Sequence, residues 1–217
     1  MLTYKIHLIR HGLTQGNLEG RYIGVTDLPL CEEGRLQLQK MSEQCEYPVV
    51  DRVYSSPMLR ATQTVEILYP DRYIEVVDNL REFNFGDFEG RTMQDLEKDP
   101  QFQQWISSAA TAGTPNGETG LSLQTRAQEA IAYIFAQMME KRMLSVAVVT
   151  HGGLIMNLLA CMGLPEREMV RWGVDNGRGY TVLLTTQMWM RDHKFEVYAQ
   201  IPYEESEQGS NGEADYE

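Results

Sequence analysis

The chain has little of what would tie it to a membrane, a nucleic acid or an oxidising compartment. No apolar run approaches the ~20 residues that cross a bilayer. The opening Met1-Leu2-Thr3-Tyr4-Lys5 leads into a strand pattern instead of a signal peptide, so a cytoplasmic location is expected. Three cysteines, Cys31, Cys45 and Cys161, form no paired spacing, which argues against a disulfide framework or a four-cysteine metal site. Basic residues are also scarce. With 19 Lys and Arg against 31 Asp and Glu, the chain carries a formal charge of −12 and lacks the basic face that nucleic acid or an anionic membrane would need.

Such a charge also sits badly with an anionic small-molecule substrate, until it is located. Six of the acids lie beyond Tyr203, where no base occurs, leaving 25 acids against 19 bases in residues 1–202. The acidic end has no apolar periodicity and is expected to be a flexible tail over 203–217, following one domain over 1–202. A site sees its local arginines more than a distant, screened tail. The sequence sets no oligomeric state, monomer or homodimer.

What the chain does have is apolar strands that end in polar clusters. Residues 4–9 read as a buried central strand running into Arg10-His11-Gly12, followed by an irregular glycine-rich loop over 11–29. Residues 32–44 read as an amphipathic helix and 49–54 as a strand. The strand stops at Ser55-Ser56-Pro57, which reads as a cap and first-turn proline for a helix over 58–68. A short strand over 74–77 leads into Asp78, Arg81 and Glu82 and then Asn84-Phe85-Gly86-Asp87-Phe88-Glu89-Gly90.

Residues 92–119 suggest short helices and a loop, with small residues over 107–114 that could form a flap. A long helix over 121–141 precedes a fully apolar strand, 145–150, which ends in His151-Gly152-Gly153 and a buried helix over 154–162. Two strands near 180–186 and 194–201 are close enough to pair as a hairpin or meander. The fold class implied is α/β: a three-layer α/β/α sandwich with helices on both faces of a mostly parallel mixed sheet.

Ligands of open α/β sheets bind at the carboxyl edge, which is where His11 and His151 stand. His7, in mid-strand, and His193, in a turn, read as structural. A metal site is disfavoured, because His7 and His11 on one strand lie about 13 Å apart and no zinc motif occurs. Cys161 and Arg167 have the spacing of a cysteine phosphatase loop, but Pro165 between them has no N–H to give a phosphate, and Cys161 follows a helix.

A nucleophilic imidazole remains: a neutral histidine can hold a phosphoryl group and divide one transfer into two. Arg10 and Arg60 would supply the positive charge on the phosphate oxygens. A nearby carboxyl would protonate the leaving alcohol and then activate water, with Glu82 first and Asp87 and Glu89 behind it.

Leu-Ile-Arg-His-Gly-Leu-Thr at 8–14, Asn17, Ser55-Ser56-Pro57 with Arg60, Leu80-Arg81-Glu82 and Thr150-His151-Gly152-Gly153 together resemble the histidine phosphatase superfamily, the phosphoglycerate-mutase-like proteins. The resemblance implies the phosphoglycerate-mutase-like fold and a phosphohistidine on His11. It makes Glu82 the proton donor and Arg10, Arg60 and His151 the phosphate clamp, with Asn17, Thr14 and the Gly152 N–H as further phosphate contacts. It also implies no metal and no organic cofactor.

Glu82 is followed by Phe83-Asn84-Phe85 and not by the arginine-histidine-tyrosine group of true mutases, and the stretch to His151 is short; both features favour a phosphatase. The Asn84–Gly90 segment, Pro115-Asn116-Gly117-Glu118-Thr119 and Arg126 are similar to α-ribazole phosphatases. Phe83, Phe85 and Phe88 could line a wall for an organic leaving group, with core packing the expected role of at least two. The expected activity is hydrolysis of small phosphate esters. The alternatives are a cofactor-dependent phosphoglycerate mutase and a phosphate-binding regulatory domain without turnover. Cys31, where the family often has threonine at a helix start, touches stability only.

Overall fold

A computed structural model describes residues 2–108 and 113–203. Half of the small-residue segment, 109–112, and the acidic tail beyond Tyr203 therefore lie outside the described residues. Among those described, no helix is long and apolar enough to cross a membrane.

Strand β1 (Thr3–Arg10) alternates its buried side chains between two faces, Tyr4, Ile6 and Leu8 to one and Ile9 to the other, as a central strand covered on both sides must. The loop behind it is less irregular than its glycines suggest, because it holds one helical turn, α1 (Gln15–Leu18). Thr14 and Asn17 close a reciprocal capping box on that turn. Helix α2 (Glu32–Gln44) has the expected limits, with Cys31 as its cap: the Gly34 N–H donates to Cys31 Sγ at 3.4 Å.

Strand β2 (Arg52–Ser55) is followed by α3 (Leu59–Leu68). The expected serine–proline cap is not made there. Met58 occupies the cap position without a side-chain bond, and the Ser56 hydroxyl is engaged by His151 at 2.8 Å. After β3 (Ile74–Val76) come the short helices α4 (Met93–Leu96) and α5 (Pro100–Ser107). The long helix α6 (Gly120–Glu140) presents an apolar row including Ala127, Ile131, Ile134 and Met138 to the sheet. Then β4 (Ser145–Thr150) feeds α7 (Gly152–Met162), and β5 (Gly163–Leu164) is a two-residue strand that the sequence pattern does not suggest. Strands β6 (Gly179–Thr185) and β7 (Phe195–Ile201) do pair antiparallel, but α8 (Thr186–Asp192) is inserted between them.

The seven strands form one sheet in the order β3-β2-β4-β1-β6-β7-β5. The first four neighbours are mutually parallel, and β6 runs antiparallel to both β1 and β7. Residues of α6, α7 and α8 fill one face and those of α2 and α3 the other, so the molecule has three layers.

Register then does the work of site building. Arg10 pairs with Thr150 and Ser55 with Val149, so three parallel strands end level. The next residues continue the ladder: His11 N–H donates to the Thr150 carbonyl and Ser56 N–H to that of Val149, both at 2.9 Å. His11, Ser56 and His151 thus emerge side by side at one carboxyl edge.

Candidate active site

The two imidazole rings of His11 and His151 lie with centroids 5.1 Å apart. His11 Nδ1 is 2.6 Å from the Gly12 carbonyl oxygen, which can only accept, so the proton sits on Nδ1 and the Nε2 lone pair is left for chemistry. Burial lowers the His11 pKa well below 6.5, and the Arg60 and Arg10 charges push the same way. The ring is neutral at pH 7, as an attacking imidazole must be.

His151 is also held neutral, by burial first and then by His11 and Arg60. Arg60 Nε donates to His151 Nδ1 at 3.3 Å, so Nε2 bears the proton and donates to Ser56 Oγ at 2.8 Å. Both His151 nitrogens have protein partners here, and contact with a phosphate oxygen requires exchange of the Ser56 bond.

Arg60, one of the most buried side chains of the protein, comes from the first turn of α3. Its other donors reach the carbonyls of Thr26 (2.9 Å) and Gly24 (2.7 Å). Arg10 donates to the Val174 carbonyl at 2.7 Å, and its Nε is buried without a partner. Neither guanidinium makes a salt bridge to a carboxylate among the described residues; their acceptors are carbonyls and an imidazole. Two positive charges drawn largely out of water with no carboxylate in direct contact are costly, and an anion at this spot offsets that cost.

Asn17 Oδ1 accepts from Thr14 N–H (3.1 Å), Thr14 Oγ1 (3.0 Å) and Asn176 Nδ2 (3.4 Å), which turns the Asn17 amide and leaves its Nδ2 as the available donor. Thr14 is wholly buried with its hydroxyl engaged in that cap, so its geometry positions Asn17. The Gly152 amide opens α7 beside Arg10: a Cβ built on Gly152 would stand 3.1 Å from Arg10 Nε.

Glu82 completes the cluster from the loop after β3. Phe83 N–H donates to one carboxylate oxygen at 2.8 Å and Gly153 N–H to the other at 2.9 Å. A Cβ built on Gly153 would stand 2.7 Å from a carboxylate oxygen, so any side chain there would displace the Glu82 carboxylate from this position. The backbone that carries Glu82 is gripped by Arg126, which donates to the carbonyls of Asn79, Arg81 and Glu82 at 3.0, 2.6 and 2.9 Å. Glu118 holds Arg126 by a two-pronged ion pair, both contacts 2.8 Å.

The two reserve carboxylates are engaged elsewhere. Asp87 accepts from the Asn116 amide at the surface. Glu89 accepts from Gly24 N–H, Val25 N–H and Thr26 Oγ1 within 2.9 Å. It clips the loop whose carbonyls hold Arg60.

This assembly joins strand ends, two inward arginines and paired imidazoles in the order in which they occur along the chain. Residues 6–193 match the histidine phosphatase superfamily (branch 1). The chain belongs to that superfamily. Among the relatives of this histidine phosphatase, the adenosylcobalamin/α-ribazole phosphatase of Escherichia coli (strain K12) is 31% identical over 178 residues, 80% of this chain and 86% of the enzyme. The sedoheptulose 1,7-bisphosphatase of Saccharomyces cerevisiae is also 31% identical, over 157 residues, 61% of this chain and 56% of that larger protein. In structure, the α-ribazole phosphatase of Shigella flexneri superposes with a TM-score of 0.77 at 24% identity, over 96% of this chain and all of that one, a likeness of fold.

Two residues of the histidine phosphatase site escape a reading by motif. Asn176 is buried and donates to the His11 carbonyl at 2.9 Å as well as to Asn17, yet it stands in a loop with no pattern around it. Ser56 looked like part of a helix cap. The Cys161–Arg167 spacing is not an assembled pair: Arg167 stacks over the Trp172 ring, 4.8 Å from its centroid, and burial raises the Cys161 pKa. Among the described residues, no three His, Cys, Asp or Glu side chains group as a metal ligand set.

Proposed function

We propose that this protein hydrolyses phosphate monoesters in the cytoplasm in two steps through a phosphohistidine on His11, with no metal and no organic cofactor. In the first step His11 Nε2 attacks phosphorus, the bond from phosphorus to the ester oxygen breaks, and the Glu82 carboxyl gives its proton to the departing alcohol. In the second, the Glu82 carboxylate takes a proton from water. The hydroxide oxygen bonds to phosphorus, and phosphate leaves with His11 neutral again. Arg10, Arg60, Asn17 and the Gly152 N–H bind the phosphoryl oxygens, whose charge they stabilise throughout.

The observation that carries this reading is the pair of buried, anion-seeking guanidiniums beside a neutral imidazole whose Nε2 is available. Rapid mixing with a 32P-labelled aryl phosphate and quenching should trap an acid-labile, base-stable phosphoenzyme. His11→Ala should abolish it; a label retained in that variant would remove His11 from the nucleophile's role.

A further inference from the structure

A cavity of about 670 Å³ opens beside Glu82, within the range of small-molecule sites. One wall is the face of α7 formed by Gly153, Met156, Asn157 and Ala160, residues that recur at helical spacing. Gly153, the first of that row, is the residue whose N–H holds the Glu82 carboxylate. The cavity therefore begins at the residues that flank the Glu82 carboxylate, and the row carries it about 10 Å away from there, at 1.5 Å per residue.

The facing wall is aromatic. Tyr22, Phe83, Phe85 and Trp105 line it, with the Phe83 and Trp105 rings stacked at 6.0 Å and 29°. Phe88, the third phenylalanine of the segment, is instead core, packed with Leu96 and Phe102. No Lys, Arg or His lines the cavity among the described residues.

We infer that this cavity is the leaving-group site, and that it selects phosphate monoesters of alcohols bearing an uncharged, flat aromatic body. This rests on the phosphatase reading. A second phosphate or a carboxylate on the leaving group would enter an apolar slot with no counter-charge and lose its hydration, so bisphosphates and phosphorylated acids are rejected. An aromatic body gains by stacking and by removal of apolar surface from water.

The test holds leaving-group acidity constant. With 2-(2-naphthyl)ethyl phosphate, ethyl phosphate and butane-1,4-diyl bisphosphate as substrates, kcat/KM should be on the order of 100-fold higher for the naphthyl ester than for the ethyl ester. It should be lowest for the bisphosphate. Ala160→Phe, which fills the far end of the cavity, should erase the naphthyl preference by lowering kcat/KM for the naphthyl ester far more than for ethyl phosphate. Leu121→Arg, at a 70% exposed position on the rim, tolerates the new side chain and should lower the naphthyl-to-bisphosphate ratio. Quenching of tryptophan fluorescence by 2-(2-naphthyl)ethanol, lost in Ala160→Phe, reports occupancy of the cavity without turnover.

Equal kcat/KM for the naphthyl and ethyl esters, or a preference for the bisphosphate, would overturn the selectivity while the phosphohistidine chemistry stands. Absence of any phosphoenzyme, with naphthylethanol still binding, would instead sink the phosphatase reading and the leaving-group assignment together.

Discussion

Single side chains show how position, not residue type, decides what a histidine does. His7 lies within β1 and His11 four residues on, just past its end, and both are buried. His7 Nδ1 lies 2.9 Å from Thr181 Oγ1 and its Nε2 3.1 Å from Ser145 Oγ, so both nitrogens are satisfied and neither is available to a ligand. His11, one residue beyond the strand, keeps Nε2 open. Glu82 carries the prediction at this scale. Glu82→Gln keeps the shape of the side chain and an acceptor for one of the Phe83 and Gly153 amides, but cannot give a proton. It should slow alkyl phosphates by about 10²- to 10⁴-fold and p-nitrophenyl phosphate much less, because that phenolate leaves unaided. Steady-state rates on the two ester types check this, and equal losses would remove the general-acid role.

Elements were legible where one face is apolar and the ends are marked. Helix α2 and strand β4 have the limits that periodicity predicts, because burial on a fixed period decides them. The start of α3 departs from the serine–proline cap that the sequence suggests, because Ser56 has a partner 95 residues away that no local pattern records. Helix α6 ends in a defined motif: Met143 N–H donates to the Met138 carbonyl at 2.9 Å and Arg142 N–H to that of Met139, with Arg142 at φ 55°. This is a Schellman closure with arginine where glycine is favoured. Arg142 is exposed, and Arg142→Gly should stabilise the fold by ~1 kcal/mol. A urea midpoint that fell would mean that the Arg142 side chain contributes more than its backbone strain costs.

For the whole molecule, three buried histidines set the response to acid. Burial lowers His7 from 6.5 to about 4, with the Lys5 charge adding to it, and lowers His11 and His151 well below 6.5. Each is neutral when folded and protonates in the unfolded chain below about pH 6.5. The unfolded state then binds more protons, so stability is full above that pH and falls as the pH drops toward 4. Each group contributes up to ~1.4 kcal/mol per pH unit over that span. Urea unfolding at pH 7.5, 6.0 and 5.0 should show the loss, and His7→Gln should flatten it. An unchanged slope in that variant would exclude His7 as a source.

The sequence by itself determined which strands are buried, where they stop, and that a histidine and a glycine follow two of them. Those features are local, set by period and by the residue types that end a strand. It also carried the identities of Glu82, Arg10 and Arg60, through the spacing of motifs that resemble a family. Only the tertiary structure decided that β1, β2 and β4 end level, which brings His11, Ser56 and His151 to one point. It also decided that Asn176, Arg126 with Glu118, and Glu89 hold the backbone and loops around His11, Glu82 and Arg60, the groups proposed to meet phosphate. Those residues act through hydrogen bonds between segments far apart in the chain, and strand order and register, which no local pattern encodes, bring the segments together.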